Sequence, residues 1–351
     1  MSGGKESEAG ALPAGWKNES HIDADWLGQL VEPVIDPELP IIDPHHHLWD
    51  QPQHRYMEGE LVADLRSGHD IRSTVYVEAS SFCDQDARPE LRSLGETRFV
   101  TGVAEAARKA DGPRICAGII GFAALRLGAA ACEVIEKHIE ISKGRLKGIR
   151  NVSIWDETLT LKSIRSDPPR GLLADRGFRE GFAGLGRFGL AFDAFVYHTQ
   201  LGELADLAES FPETSIVVDH LGGPIGIAQY EGRRQEVMSV WTAGLRRLSR
   251  LPNVFIKLGG LGMPYAGFGL RGRPSPAPSA ELAVVWKPYI HTAIDLFGPT
   301  RCMFESNFPV ENEICSYRTL WNAFKCAAAG YSAEEKQWLF HDTARAVYKL
   351  D

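Results

Sequence analysis

The stretch Ile-Ile-Asp-Pro-His-His-His-Leu-Trp-Asp, residues 41–50, places three consecutive histidines directly after a β-branched pair. Adjacent β-branched residues are typical of a strand, so this stretch predicts a strand that ends in histidines. An open doubly wound sheet usually follows its first strand with a glycine-rich phosphate-binding turn. Here histidines follow the first strand in place of such a turn. The fold must therefore be inferred from the pattern of strands and helices in the rest of the chain.

Short β-rich runs alternate with segments of helical periodicity after residue 41. The eight predicted strands are 41–45, 73–79, 115–122, 146–152, 190–197, 215–219, 254–258 and 301–306. The predicted helices include 201–210, 288–297 and 317–329. Ser332 and Glu335 have the spacing of a capping box and predict a further helix start. Eight strand–helix units in roughly 300 residues favour an α/β fold with a closed parallel sheet, the (β/α)₈ TIM barrel.

The remaining sequence is predicted to be one short segment ahead of the barrel. Residues 1–15 are polar and rich in glycine and alanine, which is typical of a frayed tail. Residues 16–40 carry tryptophan and leucine at spacings that suggest a short amphipathic helix, followed by three prolines. We therefore predict a tail and short packed helix over 1–40 and a single barrel over 41–351.

Composition excludes several classes of protein. The formal net charge is −8 and basic residues are scattered, which argues against a nucleic-acid partner. No apolar run approaches ~18 residues, so no membrane span is predicted, and the N-terminus lacks the apolar region of a secretory signal. The six cysteines form no C-x-x-C pair and are interpreted as reduced thiols of a cytoplasmic protein.

Polar residues concentrate where the predicted strands end, and barrel enzymes carry their chemistry at the carboxyl ends of the strands. These ends offer Asp43, His45, His47, Glu78, Arg150, Asp193, His198, Asp219, His220, Lys257, Glu305 and Asn307. Because side chains alternate along a strand, we expect Asp43, His45 and His47 to share one face. His46 is then expected to point into the layer between the sheet and the helices.

Several interpretations of these strand ends remain open from the residues alone. Two imidazoles from one strand, joined by His198 and His220, could hold a divalent cation such as zinc. Alternatively, the H-x-H pair only forms hydrogen bonds at the barrel mouth. Arg150 suits a bidentate hold on a substrate carboxylate, or it forms a structural salt bridge. Lys257 and Glu78 could pair with each other or with neighbours across the barrel, since buried charges need partners.

The motifs together resemble the amidohydrolase superfamily, in particular the TIM-barrel metal-dependent hydrolase branch of sugar-acid lactonases and 2-pyrone-4,6-dicarboxylate lactonase. The resemblance runs from about residue 39 to the C-terminus and rests on Asp43-x-His45-x-His47, Gly148-Ile149-Arg150, His198, the VDHLGGP run at 218–224, NV-x-x-KL at 253–258, MFESNFP at 303–309 and TA-x-x-x-Y-x-L at 343–350. It implies a divalent metal, zinc or manganese, on His45, His47 and His198.

The same resemblance implies roles for the remaining residues. His220 resembles a catalytic or supporting imidazole, and Arg150 resembles the anchor of a substrate carboxylate. Glu78, Lys257 and Asp43 are assigned with Arg150 to the substrate site, and Glu305 and Asn307 with His220 to catalysis.

The eighth strand departs from the family pattern. In the family it typically ends in an aspartate within a G-S-D-W-P-like run, whereas this chain has Asn307 at that place. An amide has no titratable proton near neutral pH, so Asn307 cannot be a general base. Two outcomes are open. In the first, Glu305, which lies two residues earlier and is expected on the same face, supplies the missing charge. In the second, the metal is absent or loosely held, and the histidines with Arg150 polarise the substrate directly.

The resemblance implies a hydrolase that opens a lactone or related ester of a small carboxylic acid with an activated water. Residues 263–280, rich in glycine and proline, are predicted to be a loop that closes over the site as a lid. Two alternatives stay open: a metal-dependent, non-oxidative decarboxylase of a small unsaturated or aromatic acid, and a non-catalytic barrel that binds a small acid. The predicted partner is a small molecule carrying a carboxylate, and a homo-oligomer is left open.

Overall fold

A computed structural model of the chain describes residues 23–51, 54–108, 111–159 and 168–350. Eight parallel strands form one sheet in which each strand pairs with the next along the chain. The strands are β1 (Pro40–His46), β2 (Asp70–Val77), β3 (Arg114–Gly121), β4 (Leu146–Arg150), β5 (Ala191–Ala194), β6 (Ile216–Val218), β7 (Val254–Leu258) and β8 (Cys302–Phe304). A small antiparallel pair, Trp49–Gln51 and His54–Tyr56, follows β1.

The sheet closes into a ring between β1 and the residues that follow β8. The Asn307 backbone N–H donates to the His45 carbonyl at 2.8 Å, and the His47 backbone N–H donates to the Phe308 carbonyl at 2.7 Å. His46 and Phe308 form a parallel bridge at the same place. The predicted (β/α)₈ barrel is therefore confirmed, and we call this closure the β1/β8 seam.

Helices surround the sheet. They are α1 (Ala24–Leu27), α2 (Glu58–Leu65), α3 (Ser93–Ala107), α4 (Ala131–Ser142), α5 (Arg176–Phe188), α6 (Leu201–Ser210), α7 (Arg234–Leu248), α8 (Ser279–Phe297), α9 (Tyr317–Ala327), α10 (Ala333–Gln337) and α11 (Thr343–Val347). No helix within the described ranges is both long and apolar enough to cross a membrane. The predicted capping box is present, because Ser332 Oγ accepts the Glu335 N–H at 3.2 Å and the Glu335 carboxylate accepts the Ser332 N–H at 2.8 Å.

Two hydrophobic layers follow from the alternation of side chains along the strands. Ile41 packs in the large outer core, which includes the helices around the barrel. Ile42 packs in an inner cluster formed by strand residues and the C-terminal segment that contains α11. Tyr348 of that segment fills the inner cluster and reaches the Asp193 carboxylate, to which its hydroxyl donates at 2.9 Å. The inner cluster therefore forms the floor beneath the polar strand ends.

Helix α8 begins nine residues earlier than predicted. The sequence interpretation placed its start at Pro288, from the helical periodicity of residues 288–297. In the structure Pro288 lies inside the helix, and Leu282 and Trp286 of the preceding turns are buried against the core. Burial of this apolar face stabilises the helix across the proline, since tertiary packing outweighs local propensity.

The segment before the barrel lies across the outer helices. Helix α1 is one short turn, and Trp26 Nε1 donates to the Arg273 carbonyl at 3.0 Å. Farther along, the Ile35 N–H donates to Asn322 Oδ1 at 2.9 Å. The predicted frayed tail over 1–15 and the first part of the predicted packed helix lie outside the described residues. The division of the chain at residue 40 stays a prediction.

The predicted lid, residues 263–280, is mostly irregular but well packed. It contains one short 3₁₀ helix, Pro264–Ala266, and its last two residues belong to α8. Arg234 of α7 donates to the carbonyls of Ala266 and Gly267 at 3.1 and 2.9 Å. Arg271 pairs with Glu313, which follows β8. These contacts hold the segment against the barrel, and its role as a lid stays a prediction.

Candidate active site

The three adjacent histidines take different directions at the end of β1. His46 Nε2 lies 2.9 Å from Thr74 Oγ1, and its ring packs edge-on against Tyr76. His45 and His47 instead face each other, with their Nε2 atoms 3.3 Å apart. His46 is fully buried, and burial lowers the pKa of its imidazole to about 3. The structure thus brings His45 and His47 together and turns His46 away from them, as the sequence predicts.

Asp43 does not share the surroundings of these two imidazoles. Its carboxylate accepts hydrogen bonds from the Ser306 N–H at 3.0 Å, the Ser306 hydroxyl at 2.6 Å and the Tyr317 hydroxyl at 3.0 Å. The expected common face with His45 is wrong, because the pairing of β1 with β2 shifts register between Asp43 and His46 and interrupts the alternation. Asp43 therefore braces β1 against the segment after β8 and helix α9.

Glu305 connects His45 with His220. Its Oε2 lies 2.7 Å from His45 Nδ1, and its Oε1 lies 2.8 Å from His220 Nδ1. Oε1 also accepts the His220 backbone N–H at 3.0 Å. Although burial opposes ionisation, these two imidazoles hold the pKa of Glu305 below its ordinary value. The hydrogen bond to Glu305 Oε1 places a proton on Nδ1 of His220 and leaves its Nε2 free to accept.

His47 is fixed in the same tautomer by the backbone. Its Nδ1 lies 2.8 Å from the Val77 carbonyl oxygen, which can only accept, so the ring proton is on Nδ1. Burial, with the neighbouring charge of Arg150, holds the pKa of His47 well below its ordinary value. Burial and the ammonium of Lys257 also lower the pKa of His45. Two imidazoles held neutral by burial therefore place their Nε2 atoms 3.3 Å apart.

Lys257 is a fully buried ammonium among carboxylates. Its Nζ lies 2.6 Å from Asp193 Oδ2, 3.0 Å from Asp219 Oδ1 and 3.2 Å from His45 Nδ1. Burial alone would lower its pKa, but Asp193 and Asp219 raise the pKa of Lys257 above the ordinary value. Burial raises the pKa of Asp193 to about 6 against the opposing effect of Lys257. Lys257 thus pairs with these two acids and not with Glu78.

Arg150 is the partner of Glu78. Its Nε donates to Glu78 Oε1 at 2.8 Å and its Nη2 donates to the Glu78 carbonyl oxygen. The remaining nitrogen, Nη1, lies 3.3 Å from His45 Nε2 and 3.8 Å from Asp219 Oδ2. The Glu78 carboxylate therefore orients the guanidinium, and Nη1 is directed at the imidazole cluster.

Asn307 and Glu305 do not share a face, contrary to the expectation from the sequence. Strand β8 ends at Phe304, so strand alternation does not extend to either residue. Asn307 has a left-handed backbone (φ 54°), and its side-chain amide donates to Glu311 Oε1 at 3.2 Å. Glu305 alone of the two reaches the imidazoles.

His198 lies apart from the histidine cluster. Its Nδ1 accepts the Ile225 N–H at 3.4 Å, and its ring packs edge-on against Tyr230. Burial lowers the pKa of its imidazole to about 4. Within the described residues, the group whose ligand atoms are close enough to hold a metal ion is His45, Asp219 and His220, which lie within 4.8 Å of one another.

Asp219 is a site residue to which the sequence interpretation gave no role. Burial opposes its ionisation, but Lys257 and His45 hold its pKa well below the ordinary range. Among the described residues, neither of its oxygens has a hydrogen-bond partner, so both rely on the ion pairs. The available signal was its place directly before His220 at the end of the sixth predicted strand.

The donor set fits a divalent cation by charge and by chemistry. Four buried carboxylates, on Glu78, Asp193, Asp219 and Glu305, face two buried cations, on Lys257 and Arg150. When all are ionised, two negative charges remain. Neutral imidazole nitrogen and carboxylate oxygen are ligands that zinc and manganese accept. The described residues thus contain a cluster suited to a divalent cation.

A run of glycines after β7 forms one wall of this cluster. A Cβ at Gly259 would lie 2.5 Å from Glu305 Cγ, and a Cβ at Gly260 would lie 2.5 Å from His220 Cβ. At Gly262 an added Cβ would overlap the Glu311 carboxylate. Gly260 also adopts a left-handed φ of 70°. Glycine is therefore required here so that three acidic or imidazole side chains can pack directly on the backbone.

Aromatic rings cover His220 on another side. The Phe195 ring meets His220 edge-on at 5.0 Å between centroids. Tyr197 and Tyr265 pack edge-on at 5.4 Å in the same apolar cluster. Such a cover keeps water away from the imidazole and strengthens the electrostatic interactions beneath it.

A TIM barrel with histidines and acids gathered at the carboxyl ends of its strands defines a class of hydrolytic enzymes, and the comparisons with known proteins agree. The family model described as Amidohydrolase matches residues 42–350. An L-fucono-1,5-lactonase of Burkholderia multivorans is 27% identical over 328 residues, which are 88% of this chain and 96% of the relative.

Solved structures share the fold. An amidohydrolase from Burkholderia multivorans with bound zinc has a TM-score of 0.68 and 23% identity, covering 89% of this chain and 99% of that chain. A putative 2-pyrone-4,6-dicarboxylic acid hydrolase from Pseudomonas putida has a TM-score of 0.59 and 18% identity, covering 89% and 98%. The chain belongs to the amidohydrolase family, and the predicted class of enzyme, an amidohydrolase-type hydrolase, is confirmed.

Proposed function

We propose that this protein hydrolyses a lactone or related ester of a small carboxylic acid. The observation that carries the proposal is the Glu305 carboxylate on Nδ1 of His220, which leaves Nε2 as a base oriented by an acid. This arrangement is that of a general base held in one tautomer by a carboxylate. The likeness to L-fucono-1,5-lactonase supports a lactone as the class of substrate.

In the proposed reaction His220 Nε2 accepts a proton from a water that attacks the lactone carbonyl. Glu305 stabilises the imidazolium that forms, because its charge lies 2.8 Å from Nδ1. The developing oxyanion is stabilised by the buried cations Lys257 and Arg150, which act in a site shielded from solvent. Arg150 Nη1 is also the group best placed to bind a substrate carboxylate, since Glu78 holds the rest of the guanidinium.

His45, Asp219 and His220 would hold a divalent cation, which when bound supplies a Lewis acid and an acidic water. Without it, His220 Nε2 is the base that the structure offers. His47 Nε2 lies 3.3 Å from His45 Nε2, so His47 would supply a further ligand to a cation bound there.

Metal-binding experiments distinguish two candidate sets of ligands. The sequence predicts His45, His47 and His198, and the structure groups His45, Asp219 and His220. After chelation, zinc or manganese at 100 times its Kd is expected to stabilise the protein by about 2.7 kcal/mol, seen as a rise in Tm. Asp219→Asn is expected to abolish the rise, whereas His198→Gln is expected to retain it. If His198→Gln abolishes the rise and Asp219→Asn does not, His198 and not Asp219 belongs to the metal site.

The function itself is tested with a panel of sugar-acid and pyrone lactones. The expected result is acid release above the spontaneous rate, measured with and without added zinc or manganese and lost in Glu305→Gln. The same reactions are assayed for carbon dioxide. Carbon dioxide without net hydrolysis would identify a decarboxylase, and metal- or acid-induced stabilisation without any turnover would identify a non-catalytic binder.

A further inference from the structure

A groove of about 800 Å³ lies on the outside of the barrel, between helices α7 and α8. Met238 and Ala243 of α7 line one side, and Val285 and Pro288 of α8 line the other. Phe268, from the predicted lid, also lines it. We call this cavity the α7–α8 groove. Its apolar lining and its volume are typical of sites that enclose a bound group.

The described chain begins beside one end of this groove. Residues 12–22 precede Asp23, which is the first described residue. Close to it, Trp26 Nε1 donates to the Arg273 carbonyl at 3.0 Å. Arg273 Nη1 in turn donates at 2.7 Å to Glu281 Oε1, in the first turn of α8. Residues 12–22 therefore join the described structure next to the start of α8.

One face of α8 leads from that turn into the groove. Residues four and seven positions apart lie on the same face of a helix, so Glu281, Val285 and Pro288 form one stripe. Val285 lies four residues beyond Glu281, a rise of about 6 Å. Trp16 is seven residues before Asp23, and seven residues of extended chain span at most about 25 Å. The groove is thus within reach of Trp16.

The composition of residues 12–22, LPAGWKNESHI, suits an apolar groove. The segment carries the apolar residues Leu12, Pro13, Trp16 and Ile22. A tryptophan side chain buries about 150–250 Å² when it is enclosed, so one indole supplies a large share of the binding energy. Arg246 of α7 lines the groove and is exposed, and a guanidinium is attracted to the face of an indole.

We propose that residues 12–22 of this chain occupy the α7–α8 groove, with the Trp16 indole as their apolar anchor. The chain itself is favoured over a second copy as the source of the segment. A tethered segment meets the groove at an effective concentration in the millimolar range, whereas a second copy meets it only at the concentration of the protein. No residue that lines the groove belongs to the candidate active site, so this inference is independent of the proposed lactone hydrolysis.

Docking of the segment also stabilises the predicted lid. The Arg234 guanidinium carbon lies 4.3 Å from the centre of the Phe268 ring, and both residues line the groove. Arg234 donates to the carbonyls of Ala266 and Gly267. An occupant that covers Arg234 shields these hydrogen bonds from water and strengthens them. Residues 264–268 are therefore held more firmly when the groove is filled.

The test is the accessibility of Trp16 in the full chain, measured by hydroxyl-radical labelling and mass spectrometry. Ser239 lines the groove and is exposed, so Ser239→Glu places a charge that docking would bury. This variant is expected to raise the labelling of Trp16 several-fold. Val240→Glu makes the same change one residue further along α7, outside the groove lining, and is expected to leave the labelling unchanged. Equal labelling of Trp16 in wild type and Ser239→Glu would overturn the proposal.

The reciprocal experiment follows a side chain of the groove. Trp16→Ala is expected to raise the oxidation of Met238 several-fold, because oxidation of a thioether follows its exposure. Met57, which precedes α2, is the internal control and should oxidise at the wild-type rate. Oxidation of Met238 that does not respond to Trp16→Ala would contradict docking of the indole.

A benzophenone amino acid in place of Trp16 identifies the occupant. Irradiation is expected to give a product with the mass of one chain, cross-linked to α7 or α8. A product with twice that mass, linked to the groove, would overturn docking within one chain and indicate a second copy. A cross-link to other elements would overturn the groove as the site.

The effect on the predicted lid is measured by hydrogen exchange. The amides of Ala266 and Gly267 donate to the Met263 and Pro264 carbonyls in the short 3₁₀ helix of this segment. Both amides are expected to exchange several-fold faster in Ser239→Glu than in wild type or Val240→Glu. Unchanged exchange in Ser239→Glu would overturn the link between the groove and the predicted lid.

Discussion

Replacing His220 by glutamine is expected to lower kcat/KM by roughly 1,000-fold while the protein remains folded. Glutamine can still donate a side-chain N–H to Glu305, and its backbone N–H retains the 3.0 Å bond to the same carboxylate. The amide cannot accept a proton at neutral pH, so the base is lost, and the chelated protein is used for both enzymes because His220 is also one of the candidate metal ligands. The measurement is steady-state kinetics on the lactone that the wild type opens, with circular dichroism to verify folding.

The matched control is His291→Gln on the outer helix α8. His291 is half-buried, and its Nε2 lies 2.9 Å from the Ala327 carbonyl oxygen. This variant is expected to retain wild-type kcat/KM. If His220→Gln retained more than about a tenth of wild-type activity, the base would have to be another group, since general bases typically contribute 10²–10⁴-fold.

Replacing Lys257 by methionine is expected to lower the free energy of unfolding by roughly 3–5 kcal/mol. Methionine fills a similar volume, so packing changes little. The loss comes from Asp193 and Asp219, which would remain buried beside each other without the ammonium that lies within 3.0 Å of both. Chemical denaturation followed by tryptophan fluorescence measures the change.

Two further variants isolate the cause. Lys137→Met removes an exposed lysine paired with Glu133 on α4 and is expected to change stability by less than about 0.5 kcal/mol. Adding Asp193→Asn to Lys257→Met is expected to recover part of the loss, because one uncompensated charge disappears. Equal destabilisation in the single and double variants would show that lost packing, and not charge, is the cause.

Much of the fold could be predicted from the sequence because it depends on local pattern. The predicted strand 254–258 and the predicted helix 201–210 match β7 and α6 residue for residue. Those elements have regular apolar spacing and clear ends. The start of α8 could not be predicted, because Pro288 signals a helix start locally while burial of Trp286 extends the helix before it.

For the candidate site, the sequence could predict only which polar residues lie at the ends of the strands. The sequence identified His45, His47, His220 and Glu305, and the structure brings them into contact. It could not place Asp43, because a register shift is invisible in the order of residues. Nor could it show that Asp219, and not His198, lies beside His45 and His220, since this depends on which side chains of different strands point at one another across the barrel.

The hydrogen bonds that close the barrel at the β1/β8 seam are made by the backbone of residues in the candidate active site. The two amide protons that close it belong to His47 and Asn307, and the carbonyl that receives the latter belongs to His45. A brief local opening at this joint would release the imidazoles from their geometry long before the outer helices melt. Local opening of the seam should therefore control both the native-state hydrogen exchange of those two amides and the onset of thermal inactivation. Activity is then expected to be lost before the outer helices unfold.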